Sequence, residues 1–403
     1  MVWIFIWDTA PSKIFVWWSE VASVRAGDTK VRPSFTPRTF TISRTEQQTM
    51  TSWWTYSDDA AWLTAWSGDF DDFFWYSAVL LNTSGVETAE MKQSWWVFTG
   101  AMTTLGNITS WDNVMIKFPV RWIKMTKSWS VVTLSITNEL DKDWYQYYAF
   151  NRNWTRGNQF YLWAYMGSKV TQNWTQYLRS YSWKSAAADA ASDGITNLSL
   201  DNACTLSQKD AWYDIETWYQ RQYINALYMM KYGNPNSQSV VWMWYVWDSN
   251  PKPTWATDSI TNATWATNTS TTWRIKLFWL EDRWGNIEEW LNWCYFDGSY
   301  YFNMSTLQNF TSWRITSFDK KTMANNTWIK NIVWDNYWMF YIKSWWGGKA
   351  KYYCDYCQNN LNNGASAGWA YSNGSDATYL SWAFTIYAHT TYAAYYGARL
   401  MYV

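Results

Sequence analysis

Residues Trp273 to Asp297 read W-R-I-K-L-F-W-L-E-D-R-W-G-N-I-E-E-W-L-N-W-C-Y-F-D, and the architecture of the chain turns on this stretch. Arg274 to Leu280 alternates in the manner of a strand, and Gly285-Asn286 supplies a tight turn. Glu288 to Leu291 is then predicted to form one helical turn. Trp284 and Trp290 are large apolar anchors for a loop-rich domain, because a buried indole brings more contact area than any other side chain. The plainer reading of the same residues is an ordinary strand–turn–helix piece of core.

Outward from this stretch, the tryptophans form a pattern of their own. The 403 residues include 39 Trp and only 17 Gly, whereas about 7% Gly is usual, so indole is abundant where glycine is scarce. Three Ser-Trp-Trp triplets start at Ser52, Ser94 and Ser344, and Trp follows Asn at Asn153-Trp154, Asn173-Trp174 and Asn292-Trp293. Asn-Gly is a strong hairpin-turn signal because both positions take positive φ, which an indole-bearing residue adopts badly. Lys127-Ser128-Trp129-Ser130 falls between two strand-like runs, at a hairpin tip. Trp7-Asp8-Thr9 is echoed by Gly27-Asp28-Thr29, with Trp in one copy and Gly in the other. These placements suggest that many Trp positions stand for glycine, from a gene whose UGA codons specify glycine. A chain that is truly rich in Trp is the alternative.

The bulk numbers exclude several classes. Lys plus Arg and Asp plus Glu are both 32, so no basic field exists to hold nucleic acid or an anionic membrane. No apolar run approaches the roughly 18 residues of a membrane span. Met1 to Trp7 is apolar but lacks a basic start and meets Asp8 at once, which reads as a strand and not as a signal peptide. Four scattered Cys make no disulfide framework. The single histidine, His389, has no accompanying nucleophile elbow, and Cys354-x-x-Cys357 alone does not complete a zinc site.

Read in order, the chain divides into three expected units. Residues 1–37 hold short strands joined by small-residue turns, and Pro33 and Pro37 punctuate a linker. Residues 38–156 form a β-rich, sandwich-like unit with strands at Thr39–Ser43, Ser77–Leu81, Val97–Met102 and Val114–Phe118, and a hairpin pairing Trp122–Met125 with Val131–Ile136. Its acidic cluster Asp69, Asp71, Asp72 reads as a solvated loop, with Ca²⁺ binding as the alternative. Residues 157–403 open with a strand at Phe160–Tyr165, which Tyr177–Ser180 continues. Thr217–Tyr232 is the clearest helix, with Ile224, Leu227 and Tyr228 at helical spacing and Gly233 as its stop.

Several motifs carry a family resemblance. Leu280-Glu281-Asp282-Arg283-Trp284-Gly285-Asn286-Ile287-Glu288-Glu289-Trp290 resembles the G-L-x-D-x-x-G-N-x-x-E-W signature of the formylglycine-generating-enzyme (sulfatase-modifying-factor) branch of the C-type-lectin fold. Glycine at Trp279 and Trp293 would bring the match closer, while Trp284 and Trp290 suit the motif as they are. The ending Gly397-Ala398-Arg399-Leu400 resembles the strand that closes this family's domain. The resemblance implies an α+β chain: N-terminal β-rich modules followed by a C-type-lectin-like domain. Trp284, Gly285, Asn286, Trp290, Gly397 and Arg399 would be its structural motif. The stretch from Trp7-Asp8-Thr9 to Val16, and those around Thr55–Ala61 and Gly68–Phe74, resemble segments of phage tail and gut-phage structural proteins.

This fold branch includes oxidases as well as binding proteins. In the oxidases a C-terminal cysteine pair sits in a Gly-Gly-Ser and arginine-rich setting; here Gly347-Gly348 precedes Cys354 and Cys357, but the serine, spacing and arginines differ. The binding branch holds phage receptor-binding proteins and retroelement-diversified variable proteins, and it fits better. It implies a receptor face made of Tyr371, Asn373, Asp376, Tyr379, Tyr387, His389, Tyr392, Tyr395 and Tyr396. These residue types lie one or two adenine changes from an AAC codon, as adenine-directed mutagenesis would leave them, and Tyr, Ser and Asn are favoured in binding loops. The expectation is a virion tail-tip or fibre adhesin, assembled in the host cytoplasm with other tail proteins, trimeric, and binding a host-surface glycan or protein. No catalytic residue, metal or cofactor is expected, nor membrane insertion or nucleic-acid binding. A formylglycine-generating-enzyme-like oxidase and a purely structural tail protein are the alternatives.

Overall fold

The structure is a computed structural model that describes residues 37–45, 54–90, 112–152, 155–181, 198–234, 236–241, 273–296, 363–368 and 396–403, with short strand segments elsewhere. Among these residues strands predominate and helices are few, a sheet-rich mixture of α and β.

Four antiparallel strands build the first sheet. In chain order, β1 (Thr39–Thr45) and β2 (Thr55–Asp58) are followed, after helix α1 (Asp69–Phe74), by β3 (Ser77–Leu81), β4 (Glu87–Glu90), the long strand β5 (Asn113–Pro119) and the hairpin β6 (Trp122–Ser128) and β7 (Val131–Thr137), of which β1, β2, β6 and β7 form this sheet. The sheet order is β6-β7-β1-β2. The hairpin predicted from sequence is present, and its tip is the two-residue turn Trp129-Ser130, with Ser128 opposite Val131.

A second sheet decides the division of the chain. It adds β8 (Gln159–Trp163), β11 (Tyr213–Ile215) and the terminal strand β18 (Leu400–Tyr402) to β3, β4 and β5, in the order β11-β18-β8-β5-β3-β4. Gln159 pairs with Pro119 and Trp163 with Met115, so strands from either side of residue 156 lie hydrogen-bonded side by side. The expected boundary between 38–156 and 157–403 therefore runs through one sheet. A single apolar core also spans it, from Phe40, Phe70 and Phe74 to Tyr223, Leu227 and Trp284. Sequence pattern alone marks strands but not their partners, which explains the difference. The stretch at Tyr177 does not continue β8 either: β9 (Ser168–Gln172) and β10 (Thr175–Arg179) form a separate hairpin around Asn173-Trp174. Near the N-terminus, residues 24–26 pair antiparallel with 29–31.

The acidic cluster is corrected as well. Asp69–Phe74 is helical, with Phe70, Phe73 and Phe74 in the core, and Asp71 accepts hydrogen bonds from Lys231 Nζ (2.5 and 2.6 Å) and from Tyr76 (2.7 Å). A lysine supplies the cation at this cluster. Among the described residues no group of three or more His, Cys, Asp or Glu is arranged to hold a metal.

Helix α2 (Leu200–Ser207) precedes β11, and α3 (Trp218–Tyr232) follows it. The predicted helix is thus found. Thr217 and Gln220 form a reciprocal capping box, and Gly233 ends the helix in the left-handed conformation at φ 58°. Every side chain of α3 is buried, Arg221 and Lys231 included. An amphipathic pattern does not announce this; the helix runs through the middle of the molecule.

The opening stretch becomes β12 (Trp273–Leu277), β13 (Leu280–Glu281) and β14 (Glu288–Phe296). The predicted helical turn at Glu288–Leu291 is therefore a strand. Four residues gain little as an isolated turn, while here the backbone is paired on both sides. Antiparallel β15 (Asn363–Ala367) lies against one edge and parallel β17 (Tyr396–Ala398) against the other, and β16 (Trp382–Phe384) extends the sheet beyond β15.

Candidate functional site

The structural motif expected from sequence converges in one buried place, and a network of charged side chains lies at its centre. Arg283 donates to both oxygens of Glu216 at 2.7 Å and to Glu289 Oε2 at 3.1 Å. Arg221 donates to the same Glu289 oxygen at 3.0 Å and to the Arg283 carbonyl at 2.7 Å. Arg399 reaches Glu289 Oε1 at 2.9 Å, and also donates to the carbonyls of Trp163 (2.6 Å) and Glu281 (2.5 Å). All five side chains are at most 2% exposed.

Three stretches of chain supply these groups. Glu216 and Arg221 flank the start of α3, Arg283 and Glu289 flank the W-G-N turn, and Arg399 lies between β17 and β18. Burying charge is costly unless each is paired and its remaining donors are satisfied; the carbonyl contacts meet most of that requirement here, with Arg221 Nε left without a hydrogen-bond partner. Burial alone would raise the Glu289 pKa, but Arg399, Arg283 and Arg221 outweigh it and hold the carboxyl at about 2. Burial, with the neighbouring Arg283 charge, lowers Arg221 to about 10. Glu288 points into a different environment. Its carboxyl bonds Ser366 Oγ, and burial pushes it up to about 8, so it is a neutral acid at moderate pH.

The W-G-N turn is shaped by two left-handed residues, Gly285 (φ 73°) and Asn286 (φ 57°). Asn286 tolerates that conformation while its side chain donates to Asp282 at 2.9 Å. Gly285 N–H donates to the Gly368 carbonyl at 2.8 Å. Gly368, at φ 90°, lies so close to the turn that a Cβ would come within 2.8 Å of the Arg283 carbonyl oxygen. Trp284 is buried, and the Trp290 indole donates to the Leu198 carbonyl at 2.8 Å. Gly397 packs against Ile287 and Met166.

Gly368 and Tyr396, which flank residues 369–395 in sequence, both belong to this frame. Ala367 and Gly397 pair with Glu289 from opposite sides, so the two ends are about two strand spacings, roughly 10 Å, apart. The segment meets the sheet once more where Trp382 to Phe384 pairs with Ala365 to Ala367.

Of the expected receptor face, Tyr371, Asn373, Asp376, Tyr379, Tyr387, His389, Tyr392 and Tyr395 lie outside the described residues, as does Cys354. Tyr396 is corrected: it is 3% exposed and stacks on Trp290 with ring centroids 4.3 Å apart, so it belongs to the frame and not to a display face. Trp284, Gly285, Asn286, Trp290, Gly397 and Arg399 all stand in the frame as structural residues. Sequence reading gave no role to Glu216, Arg221, Arg283, Glu288 and Glu289, although the last three stand within the quoted signature. The one local signal was the charged pair bracketing the Thr217 cap, and helical spacing does not mark that pair as buried.

No family model matches the chain, and none of the curated proteins compared with it does. The class that can be stated is that of the architecture: a sheet-rich α and β protein with a buried charged frame.

Proposed function

We propose that the chain is a receptor-binding adhesin of a phage tail, with a C-type-lectin-like fold in its C-terminal part and a display segment at residues 369–395. The observation that supports this most is the double anchorage of that segment. Both of its ends are fixed to the Glu288–Trp290 strand by backbone pairing, and a hydrogen-bonded turn locks the exit at Gly368. A segment held this way can change side chains without changing where it starts or ends, as binding loops on a rigid scaffold do. Its composition, rich in Ala, Tyr, Thr and Ser, suits contact with a host-surface glycan or protein through many shallow contacts. Several copies per particle, as in a trimeric fibre held to other tail proteins by the N-terminal modules, would multiply modest single-site affinity. Among the described residues no helix is long and apolar enough to cross a membrane.

The test is exchange of residues 369–395 for another sequence of the same length and similar composition in the intact particle. Altered adsorption to host cells with an unchanged unfolding midpoint of the purified chain is expected. Unchanged adsorption with every substitute segment would sink the adhesin reading and favour a purely structural tail protein.

A further inference from the structure

Thirteen non-glycine residues take positive φ among the described residues, and seven of them are tryptophan: Trp66 (75°), Trp75 (57°), Trp129 (54°), Trp144 (67°), Trp174 (65°), Trp212 (71°) and Trp279 (65°). Five of the others are Asp or Asn, the residues that best tolerate this region, and the last is Phe278. Tryptophan makes up 39 of 403 residues, so chance does not put it at more than half of these positions.

The turns agree with the angles. Asn173-Trp174 joins paired Gln172 and Thr175, and both residues are left-handed (46° and 65°), the two-residue turn that Asn-Gly favours. Phe278-Trp279 joins paired Leu277 and Leu280 with the same signs. At Trp129-Ser130 only the first residue is left-handed, the arrangement that takes glycine at its first position. Trp75 caps α1 where helices commonly end on glycine. Trp129 and Trp174 are 96% and 99% exposed, so no packing offsets their backbone cost, whereas Trp279 is buried at 1% and is assigned on its turn conformation alone.

We infer that the natural polypeptide carries glycine at positions 66, 75, 129, 144, 174, 212 and 279, encoded by UGA codons that its source reads as glycine. Trp218, Trp284 and Trp290 are a different class: each is buried without positive φ, Trp218 within the first turn of α3 and Trp290 with its indole hydrogen-bonded. They are tryptophan in the natural protein. The exposed indoles at the hairpin tips then form no aromatic binding or membrane-wedging surface. This inference stands apart from the adhesin reading, since it concerns which residues the chain contains and not what it binds.

Two measurements test it. The gene's codons, with peptide masses of the protein from its native source, should give UGA and glycine at the seven positions, and UGG and tryptophan at 218, 284 and 290. UGG codons, or tryptophan in native peptides spanning positions 129 and 174, would overturn it. Independently, the recombinant chain with Trp129→Gly, Trp144→Gly and Trp174→Gly should unfold at a higher temperature than both the Trp chain and the matching triple Ala variant. Equal midpoints for the Gly and Ala variants would remove the backbone argument, because Ala relieves surface exposure but not left-handed strain.

Discussion

Two regions of this molecule invert the usual partition of side chains in opposite ways. In the frame around Glu289, three arginines and two glutamates are withdrawn from water, while at the hairpin tips Trp129 and Trp174 stand almost wholly in it. The first inversion is compensated: each buried charge meets an opposite charge, and most spare donors find backbone carbonyls, Arg221 Nε being the exception. The second has no compensation, since exposed indoles add no contacts and their backbones sit in the left-handed region. An unusual residue supported by its neighbours therefore reads as design. One without such support reads as a residue that does not belong to the natural chain.

The comparison can be broken most forcefully at Glu289. Removing it as Glu289→Ala leaves three buried guanidinium groups without their shared partner, and a loss of about 3–5 kcal/mol is expected from urea unfolding. A loss below about 1 kcal/mol would show that the network is not what holds the frame. Next in size is the pH response of Glu288. Its folded pKa of about 8 lies above the ordinary 4.5, so its contribution is complete below pH 4.5 and is lost as pH rises towards 8. Glu289 has the opposite sign, with a contribution present above 4.5 and lost as pH falls towards 2. Unfolding free energy measured between pH 4.5 and 8 should fall by an amount on the order of a few kcal/mol, and Glu288→Gln should flatten that slope. A slope that survives the Gln substitution would assign it to another group.

Substitutions of single indoles and of the α3 cap sharpen the contrast. Trp174→Gly should stabilise the chain by about 1 kcal/mol by removing left-handed strain at a fully exposed tip. Trp290→Gly should do the reverse and cost about 3–5 kcal/mol, since that indole fills core and donates a hydrogen bond. Last, Thr217→Ala removes one half of the capping box and should cost about 1 kcal/mol in thermal denaturation.

Much of the local structure was legible before any coordinates. The hairpin at 122–137, the strand at 77–81 and the helix ended by Gly233 follow from alternation, helical spacing and capping, all of which act between residues close in sequence. The W-G-N turn and the closing Arg399 strand are also legible in the sequence, through the family resemblance, as parts of one unit. The helical turn expected at Glu288 was not found, because pairing with Ala367 on one side and Gly397 on the other decides that backbone, and both partners are far along the chain.

By itself, then, the sequence determined the short-range elements and the anomaly of its tryptophans, because propensity, turn chemistry and residue identity need no partner to be read. Only the tertiary structure decided that strands 113–119 and 159–163 share a sheet across the expected domain boundary. It also decided that Glu216, Arg221, Arg283, Glu289 and Arg399 meet, and that Tyr396 faces inward onto Trp290. Those outcomes depend on which distant surfaces come together to exclude water and satisfy buried charge, and one-dimensional spacing carries no record of that choice.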